Sequence, residues 1–425
     1  MAAGLHSSRA AIASAQLEQL RALLTELIPG NAFYTRKLHA VGVTFDVSSL
    51  EDFSRRFPFT VKTELADDQR ANPPFGTDLT YPLDRYTRMH QTSGTSGSPL
   101  RWLDTPDSWI GMVDGWVEIF HAAGVTADDR VYFAFSFGPF IGFWLAFEAA
   151  SRMGALCIPG GGMSSAVRLR AIIDNQATVL CCTPTYSLRL AEVATAEKID
   201  LRAAKVKTLI VAGEPGGSIP AVRARIEQSW SPARVFDHHG MTETGPVTYE
   251  CPAHPGILHV MESAYFAEII EPGGTKPVAP GQPGELVLTT LGRIGSPLLR
   301  YRTGDLVKAA APCGCGRQEL ALDGGILGRT DDMLFVRGVN IYPGAVEEII
   351  RTTGEVAEFR VRVSTRQALA ELRVEIEAAT GCGDVAGLVA RLEKEFQRQF
   401  ALRVPVTAVK ELPRFEMKAK RWVRD

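Results

Sequence analysis

A chain of 425 residues exceeds what one hydrophobic core usually organises, so two or three domains are expected. With 45% hydrophobic residues, 22% charged residues and a net charge of −2, nucleic acid is excluded as the main partner, and seven cysteines over this length are not a disulfide scaffold. No secretory signal is legible in residues 1–14. The most apolar stretch, Val131–Ala150, is broken by Ser136, Gly138, Pro139, Gly142 and Glu148, so no membrane partner is expected. The expectation is a cytoplasmic, multi-domain enzyme.

Residues 10–28 predict an amphipathic helix, with Leu17, Leu20, Leu24, Leu27 and Ile28 at helical spacing and Pro29-Gly30 as its stop. Residues 31–90 are mixed, with turns at Pro58 and Asn72-Pro73-Pro74. From Val131 to Phe236, short apolar runs (Val131–Phe135, Ala155–Ile158, Thr178–Cys182, Lys207–Ala212, Arg234–Phe236) alternate with helical segments of about ten residues. That alternation predicts a parallel or mixed sheet covered by helices. Residues 260–325 change to strand-like runs around the Pro/Gly-rich segment Pro272–Pro283. From about residue 331 a small α+β unit is expected. It has strands at Met333–Val336, Phe359–Val363, Leu372–Ile376 and Val404–Val409, and a helix from Val385 to about Leu402. The predicted class is α/β: a large domain over 1–330, with helix-covered mixed sheets and a β-rich portion, and a small C-terminal α+β domain over 331–425.

The chemistry concentrates at turns. In Gln91-Thr92-Ser93-Gly94-Thr95-Ser96-Gly97-Ser98-Pro99-Leu100, hydroxyls alternate with glycines, so backbone amides and hydroxyls can converge on anionic oxygens as in a phosphate cradle. No Gly-Lys-Ser/Thr follows, which separates it from a Walker A loop; read alone, such a run is more often a flexible surface loop. Gly213-Glu214-Pro215 and Asp237-His238-His239-Gly240-Met241-Thr242-Glu243 each follow a predicted strand, where α/β sheets bind ligands. A hydroxyl beside a carboxylate suits a Mg²⁺–phosphate site; the plainer reading of the paired histidines is a solvated turn. Cys313 and Cys315, with the distant Cys251 and His259 (His254 in reserve), form a candidate structural Cys₃His zinc set; unpaired thiols are the alternative. Cys157, Cys181, Cys182 and Cys382 read as packing residues.

In this order, the loop at 91–100, Ala212–Pro215, His239–Glu243, Tyr301-Arg302-Thr303-Gly304-Asp305, Gly328-Arg329-Thr330-Asp331-Asp332, Arg337-Gly338-Val339-Asn340-Ile341-Tyr342-Pro343 and Pro413-Arg414 through Lys418-Ala419-Lys420-Arg421 resemble the acyl-adenylate-forming enzymes. Within these the chain looks most like the phenylacetate–CoA ligase family, from about residue 55 to the end. The resemblance implies that Ser93, Gly94, Thr95, Ser96 and Gly97 hold the ATP phosphates and that Gly213, Glu214 and Pro215 lie along the adenine. It further implies that the turn Asp237, His238, His239, Gly240 and Met241 completes the nucleotide site, with the ring of His239 against the base. Thr242 would meet the α-phosphate and Glu243 would bind Mg²⁺. Asp305 would accept the ribose hydroxyls, with Arg329 beside them. Asp331 would be the hinge, Lys418 the adenylation cation, and Arg337, Gly338, Val339 and Asn340 a loop serving CoA. Phe137, Phe140 and Gly240 would line the acyl pocket, favouring an aromatic acid.

Three positions depart from the family pattern: Ser98 replaces a lysine, His239 a tyrosine, and Met417 a glycine, with Lys420 close enough to rival Lys418. The implied reaction is adenylation of a carboxylic acid by ATP and transfer to CoA, in a chain whose relatives suggest a homodimer. An amine or carrier-protein acceptor, or a non-catalytic nucleotide-binding role, are the rival readings. A Rossmann dehydrogenase is disfavoured because no Gly-x-Gly-x-x-Gly joins a first strand to its helix.

Overall fold

A computed structural model describes residues 8–92, 99–331, 334–336, 339–366, 369–415 and 419–424. The chain up to Ala71 is helical: α1 (Arg9–Leu27), α2 (Ala32–Ala40), α3 (Leu50–Arg56) and α4 (Lys62–Ala71). Ser8, Asn31 and Ser49 open the first three, each side chain accepting from an amide in the following turn. Leu20, Leu23, Leu24 and Leu27 repeat at helical spacing and bury against Phe53, Phe57, Leu298, Leu299 and Tyr301, so this layer packs on a later part of the chain.

The hairpin β1 (Arg88–Gln91) and β2 (Arg101–Asp104) follows, and α5 (Pro106–Ala122) starts from the Thr105 cap with proline in its first turn. Next come β3 (Arg130–Phe133), α6 (Trp144–Arg152), β4 (Leu156–Pro159), α7 (Ser165–Asp174), β5 (Val179–Cys182), α8 (Pro184–Ala196), β6 (Thr208–Val211), α9 (Pro220–Ser229) and β7 (Arg234–Asp237). The five strands pair in parallel in the order β4-β3-β5-β6-β7. Period-two alternation decides which face each residue serves. Val131, Phe133, Val179, Cys181, Ile210 and Phe236 join one core with α5 and α6. Tyr132, Leu180, Cys182, Leu209, Val211 and Val235 join the other with α7, α8 and α9.

The β-rich portion, expected over 260–325, begins earlier, at residue 240, and comprises β8 (Gly240–Met241), β9 (Gly245–Pro246), β10 (Thr248–Glu250), β11 (Ile257–Val260), β12 (Tyr265–Ile270), β13 (Pro283–Thr290), β14 (Tyr301–Lys308), β15 (Ala321–Asp323) and β16 (Gly328–Arg329). It divides into the sheets β10-β11-β15 and β12-β13-β14-β16 and the short hairpin β8-β9.

Beyond this come the hairpin of β17 (Leu334–Val336) and β18 (Val339–Ile341), α10 (Pro343–Thr352), β19 (Val356–Arg366), β20 (Leu369–Ala378), α11 (Val385–Phe400), β21 (Val406–Ala408) and β22 (Trp422–Arg424). A sheet ordered β21-β20-β19-β22 and the apolar stripes of α10 and α11 enclose a separate core around Ile350, Val361, Ile376, Leu392 and Phe396. Besides the pairing of Val339–Ile341 as a strand, where a loop was expected, two features here were not read from the sequence. Residues 343–352 form a helix, and the basic tail, whose ordinary reading is a solvated end, adds Trp422–Arg424 as a parallel strand beside β19, with Arg421 buried ahead of it. Among the described residues, no helix is long and apolar enough to cross a membrane.

Candidate active site

The C-terminal end of β7 feeds directly into the hairpin β8-β9, in which Gly240 faces Pro246 and Met241 faces Gly245. The turn between them carries Thr242 and Glu243 at its tip, closed by the Thr244 amide on the Met241 carbonyl. Gly245 has a φ of +86°, and a β-carbon there would lie 2.6 Å from the Met112 sulfur of α5, so both backbone angle and packing require glycine. The Tyr265 hydroxyl reaches the carbonyls of Thr244 and Pro246 at 2.8 and 2.7 Å and clamps the hairpin from behind.

A second clamp comes from Arg293, in the segment after β13. Its Nε and Nη2 donate to the Asp104 carboxylate at 2.7 and 2.8 Å, and its Nη1 donates to the carbonyls of Thr242 and Glu243 at 3.0 and 2.6 Å. Both side chains are almost fully buried, and the guanidinium lies over the Trp102 ring. Glu243 itself is buried, and one of its carboxylate oxygens accepts from the half-exposed Lys62 ammonium at 3.0 Å.

The neighbouring carboxylates are also held. Asp237 accepts from the Ser218 hydroxyl at 2.6 Å, and burial pushes its pKa up to about 6. His239 places Nε2 3.0 Å from one Asp305 oxygen, and Arg329 donates to the other at 3.1 Å. Burial pushes the Asp305 carboxyl up, but His239 and Arg329 outweigh it, and its pKa falls below the usual carboxylate value. Asp305 on β14 and Arg329 on β16 are directly cross-strand. Arg329 Nε also contacts the exposed Asp331 at 3.0 Å.

Glu214, half-buried beyond β6, accepts from the amides of Thr185 on α8 at 2.8 Å and Ala419 at 2.9 Å. Burial raises its pKa. This side chain thus joins the strand-end turn to the C-terminal segment, a contact the sequence did not suggest. Arg421 continues the connection: it donates to Glu358 at 2.7 Å, and its Nη1 lies 3.4 Å from both Glu347 and the Thr185 hydroxyl.

Other expected residues have mixed positions. Ser93, Gly94, Thr95, Ser96, Gly97, Arg337, Gly338 and Lys418 lie outside the described residues. The stem of the loop is described: Thr92 and Leu100 close it through two hydrogen bonds, and the Gln91 amide donates to the Pro139 carbonyl, bringing the 134–143 loop alongside. Within that loop Phe137 packs on Trp144 and Phe147, and the Phe140 ring closes over Gly138 and Gly142. Val339 and Asn340 form β18.

His238 is buried rather than solvated; its ring meets Trp116 and Phe143. Trp116 was missed because its helical neighbours Trp109, Met112, Val113 and Phe120 make it read as a core stripe.

Apart from this site, Cys251, His259, Cys313 and Cys315 bring their four ligand atoms within 4.8 Å of one another. Cys251 and Cys313 sulfurs are 3.6 Å apart, and Cys315 sulfur is 3.5 Å from His259 Nε2. A tetrahedron of Zn–S bonds of about 2.3 Å has edges of about 3.8 Å, so the set fits a Cys₃His zinc centre. His254 is exposed and stands outside the cluster.

Residues 63–292 match the family of AMP-binding enzymes, and residues 338–425 match the AMP-binding enzyme C-terminal domain. Phenylacetate-coenzyme A ligases of Thermus thermophilus and Escherichia coli are each 32% identical to the chain, over 86% of it and 81% and 84% of their own lengths. That of Pseudomonas putida is 30% identical over 95% of the chain and 92% of its own. A crystal structure of 2-hydroxyisobutyryl-CoA ligase in its postadenylation state superposes with a TM-score of 0.93 at 29% identity, over 99% of this chain and 91% of that one. The thioesterification state of the same enzyme, at the same coverage, superposes with 0.75.

Arg293 generates the first prediction. Arg293→Met leaves the Asp104 carboxylate buried without its partner and should cost about 3–5 kcal/mol of stability in urea unfolding. Adding Asp104→Leu should restore most of that loss. A single-mutant cost below about 1 kcal/mol would mean that the pair is effectively solvated.

Proposed function

The chain belongs to the AMP-binding enzymes, among the phenylacetate–CoA ligases, as an acyl-adenylate-forming acid–CoA ligase, and we propose that its acid is an aryl or arylacetic acid and that Lys418 is the adenylation cation. The single observation that carries the site assignment is the hairpin tip, where Thr242 and Glu243 are fixed by Arg293 at the end of β7, the sheet edge at which α/β folds bind nucleotides.

In the first half-reaction the acid's carboxylate oxygen attacks the α-phosphorus of ATP; the acyl–phosphate bond forms as the bond to pyrophosphate breaks. The chain contributes positioning and charge. Amides and hydroxyls of residues 93–97 receive the outgoing phosphates, Thr242 steadies the α-phosphate, and Lys418 balances charge on the transferring group. Asp305 takes the ribose hydroxyls, its carboxylate held ready by His239 and Arg329. The Gly213–Pro215 backbone and the His239 ring flank the base. Glu243 would offer Mg²⁺ one hard carboxylate oxygen, and the metal would supply charge neutralisation when bound.

In the second half-reaction the CoA thiolate attacks the acyl carbonyl and AMP leaves. The likeness to the postadenylation state supports reading the described arrangement as the adenylation-side conformation. Rotation about Asp331 would break the Glu214–Ala419 and Arg421–Thr185 contacts, withdraw Lys418 and bring the 337–340 loop to the site. Zinc at Cys251, His259, Cys313 and Cys315 is structural, tying the end of β10 and strand β11 to the 312–316 loop.

The test is pyrophosphate release from Mg·ATP with a panel of aryl acids, with and without CoA. Acid-dependent release, acyl-CoA only when CoA is present, and a fall of about 100-fold or more in Lys418→Ala are the expected outcome. Release that never yields acyl-CoA would assign another acceptor. Asp305→Ala should raise the KM for ATP about tenfold or more through loss of charge-assisted hydrogen bonds. Elemental analysis should find one zinc per chain, lost in Cys315→Ser together with a lower Tm; a metal-free wild type of unchanged Tm after added chelator would remove zinc from the account.

A further inference from the structure

His238 and His239 are successive residues whose rings end on different walls. His239 faces Asp305, on the side assigned to the nucleotide. His238 faces an aromatic wall: the Trp116 ring meets it nearly edge-to-face at 4.4 Å and 73°, and Phe143 stands beyond at 6.3 Å, backed by Phe135 stacked on Phe143 at 4.4 Å. The side chain is 94% buried, from a relative exposure of 6%. Neither Nδ1 nor Nε2 has a hydrogen-bond partner among the described residues. Among the described histidines, His90, His259 and the partly buried His239 each leave one buried ring nitrogen unmet; His238 leaves both.

Buried polar groups are nearly always paired, and a group left unmet marks a place where a partner is absent from the structure. Packing alone would be served as well by leucine or phenylalanine, without loss of hydration at two nitrogens. Burial also drives the His238 pKa down to about 3, so the ring is neutral under working conditions and offers one N–H donor and one lone pair. A mostly apolar wall with a single placed polar group is how small-molecule pockets fix the orientation of a ligand. The wall is also close in the chain to the hairpin tip: Thr242 is four residues on, so at most ~14 Å separates its backbone from that of His238.

We propose that His238 hydrogen-bonds a hydroxyl or amino substituent on the acid, which makes a hydroxy- or amino-substituted aryl acid the preferred substrate over its unsubstituted parent. This rests on the ligase reading above and narrows its substrate class. Trp116 and Phe143 pack on each other, 5.7 Å apart, on one side of the imidazole and give an aromatic ring an apolar wall to meet, while the imidazole selects by the substituent. A site built around a polar partner discriminates against the analogue lacking it because the site's own polar group is then left buried and unpaired.

The experiment compares kcat/KM for adenylation of benzoate and phenylacetate with that of their ortho-, meta- and para-hydroxy and amino derivatives, in wild type, His238→Leu and His238→Asn, with Tm measured for each. At least one substituted acid should exceed its parent by about tenfold or more in wild type. In His238→Leu that ratio should collapse towards unity, through a higher KM for the substituted acid, while His238→Asn, which keeps a donor and an acceptor, should retain part of it. Removing an unmet polar group should leave the Tm of His238→Leu unchanged or higher; a histidine that is merely structural would lower Tm and leave the ratio between paired acids intact. Wild type that activates parents and derivatives equally, or a preference that survives His238→Leu, would overturn the inference while leaving the ligase reading standing. No acid-dependent pyrophosphate release with any member of the panel would overturn both.

Discussion

The buried ion pair between Arg293 and Asp104 is the constraint on which the rest of the site depends. Two charges taken out of water are tolerated only when their hydrogen-bonding capacity is met. Here both carboxylate oxygens are occupied by N–H groups of Nε and Nη2, and Nη1 donates to the carbonyls of Thr242 and Glu243. One guanidinium therefore joins three parts of the chain. Asp104 ends the strand that leaves the Ser/Thr/Gly loop, Arg293 follows β13, and Thr242-Glu243 is the tip of the hairpin after β7. The strand that leaves the Ser/Thr/Gly loop and the hairpin tip that carries Glu243 are thus tied together through Arg293 and Asp104, neither of which belongs to a motif singled out in the sequence.

From this fixed point the chain sorts its functions by alternation. Leaving β7, Asp237 turns to Ser218, His238 to Trp116 and Phe143, and His239 to Asp305. A one-residue slip would exchange the polar and aromatic walls, as it would for any extended segment. Register is secured on both sides, by the parallel ladder of β7 with β6 and by bonds from the His239 amide and carbonyl to Thr248 and Val247. Separation of a polar wall from an aromatic wall is in this sense a consequence of strand geometry.

Much of this was legible in the sequence because it is local. Parallel strands showed as short apolar runs between helical segments, and the turns at 213–215 and 237–243 showed as glycine-containing breaks after those runs. The sulfur cluster was legible for a different reason: a C-x-C turn makes two ligands adjacent in space, so only the distant pair had to be inferred, and His259 rather than His254 completes it. Contacts between distant residues left no comparable signal. Arg293 and Asp104 are 189 positions apart and look like ordinary surface charges in a linear reading. Trp116 reads as one more member of a buried helical stripe. The tail read as solvated because its basic residues outnumber its apolar ones, yet Arg421 finds Glu358 and Glu347, and that pairing lets Trp422–Arg424 close the edge of the sheet.

The character of the contact between the two parts of the molecule fits what a two-step reaction requires. Within the C-terminal unit the core is apolar, built from residues such as Ile350, Val361 and Leu392. Across the boundary the named contacts are polar: Glu214 with the Ala419 amide, Arg225 with the Val356 carbonyl, Glu348 with the Ala221 amide, and Glu192 with Arg414. Apolar cores resist separation because exposing them to water is costly, whereas hydrogen bonds and ion pairs at a boundary can be exchanged for water at small net cost. A boundary of this kind holds one arrangement without committing the molecule to it. Glu214 is the side chain best placed to feel the exchange, since it sits on the strand-end turn and touches the C-terminal segment directly. Were that segment withdrawn, Glu214 would lose the Ala419 amide from one carboxylate oxygen and keep the Thr185 amide on the other.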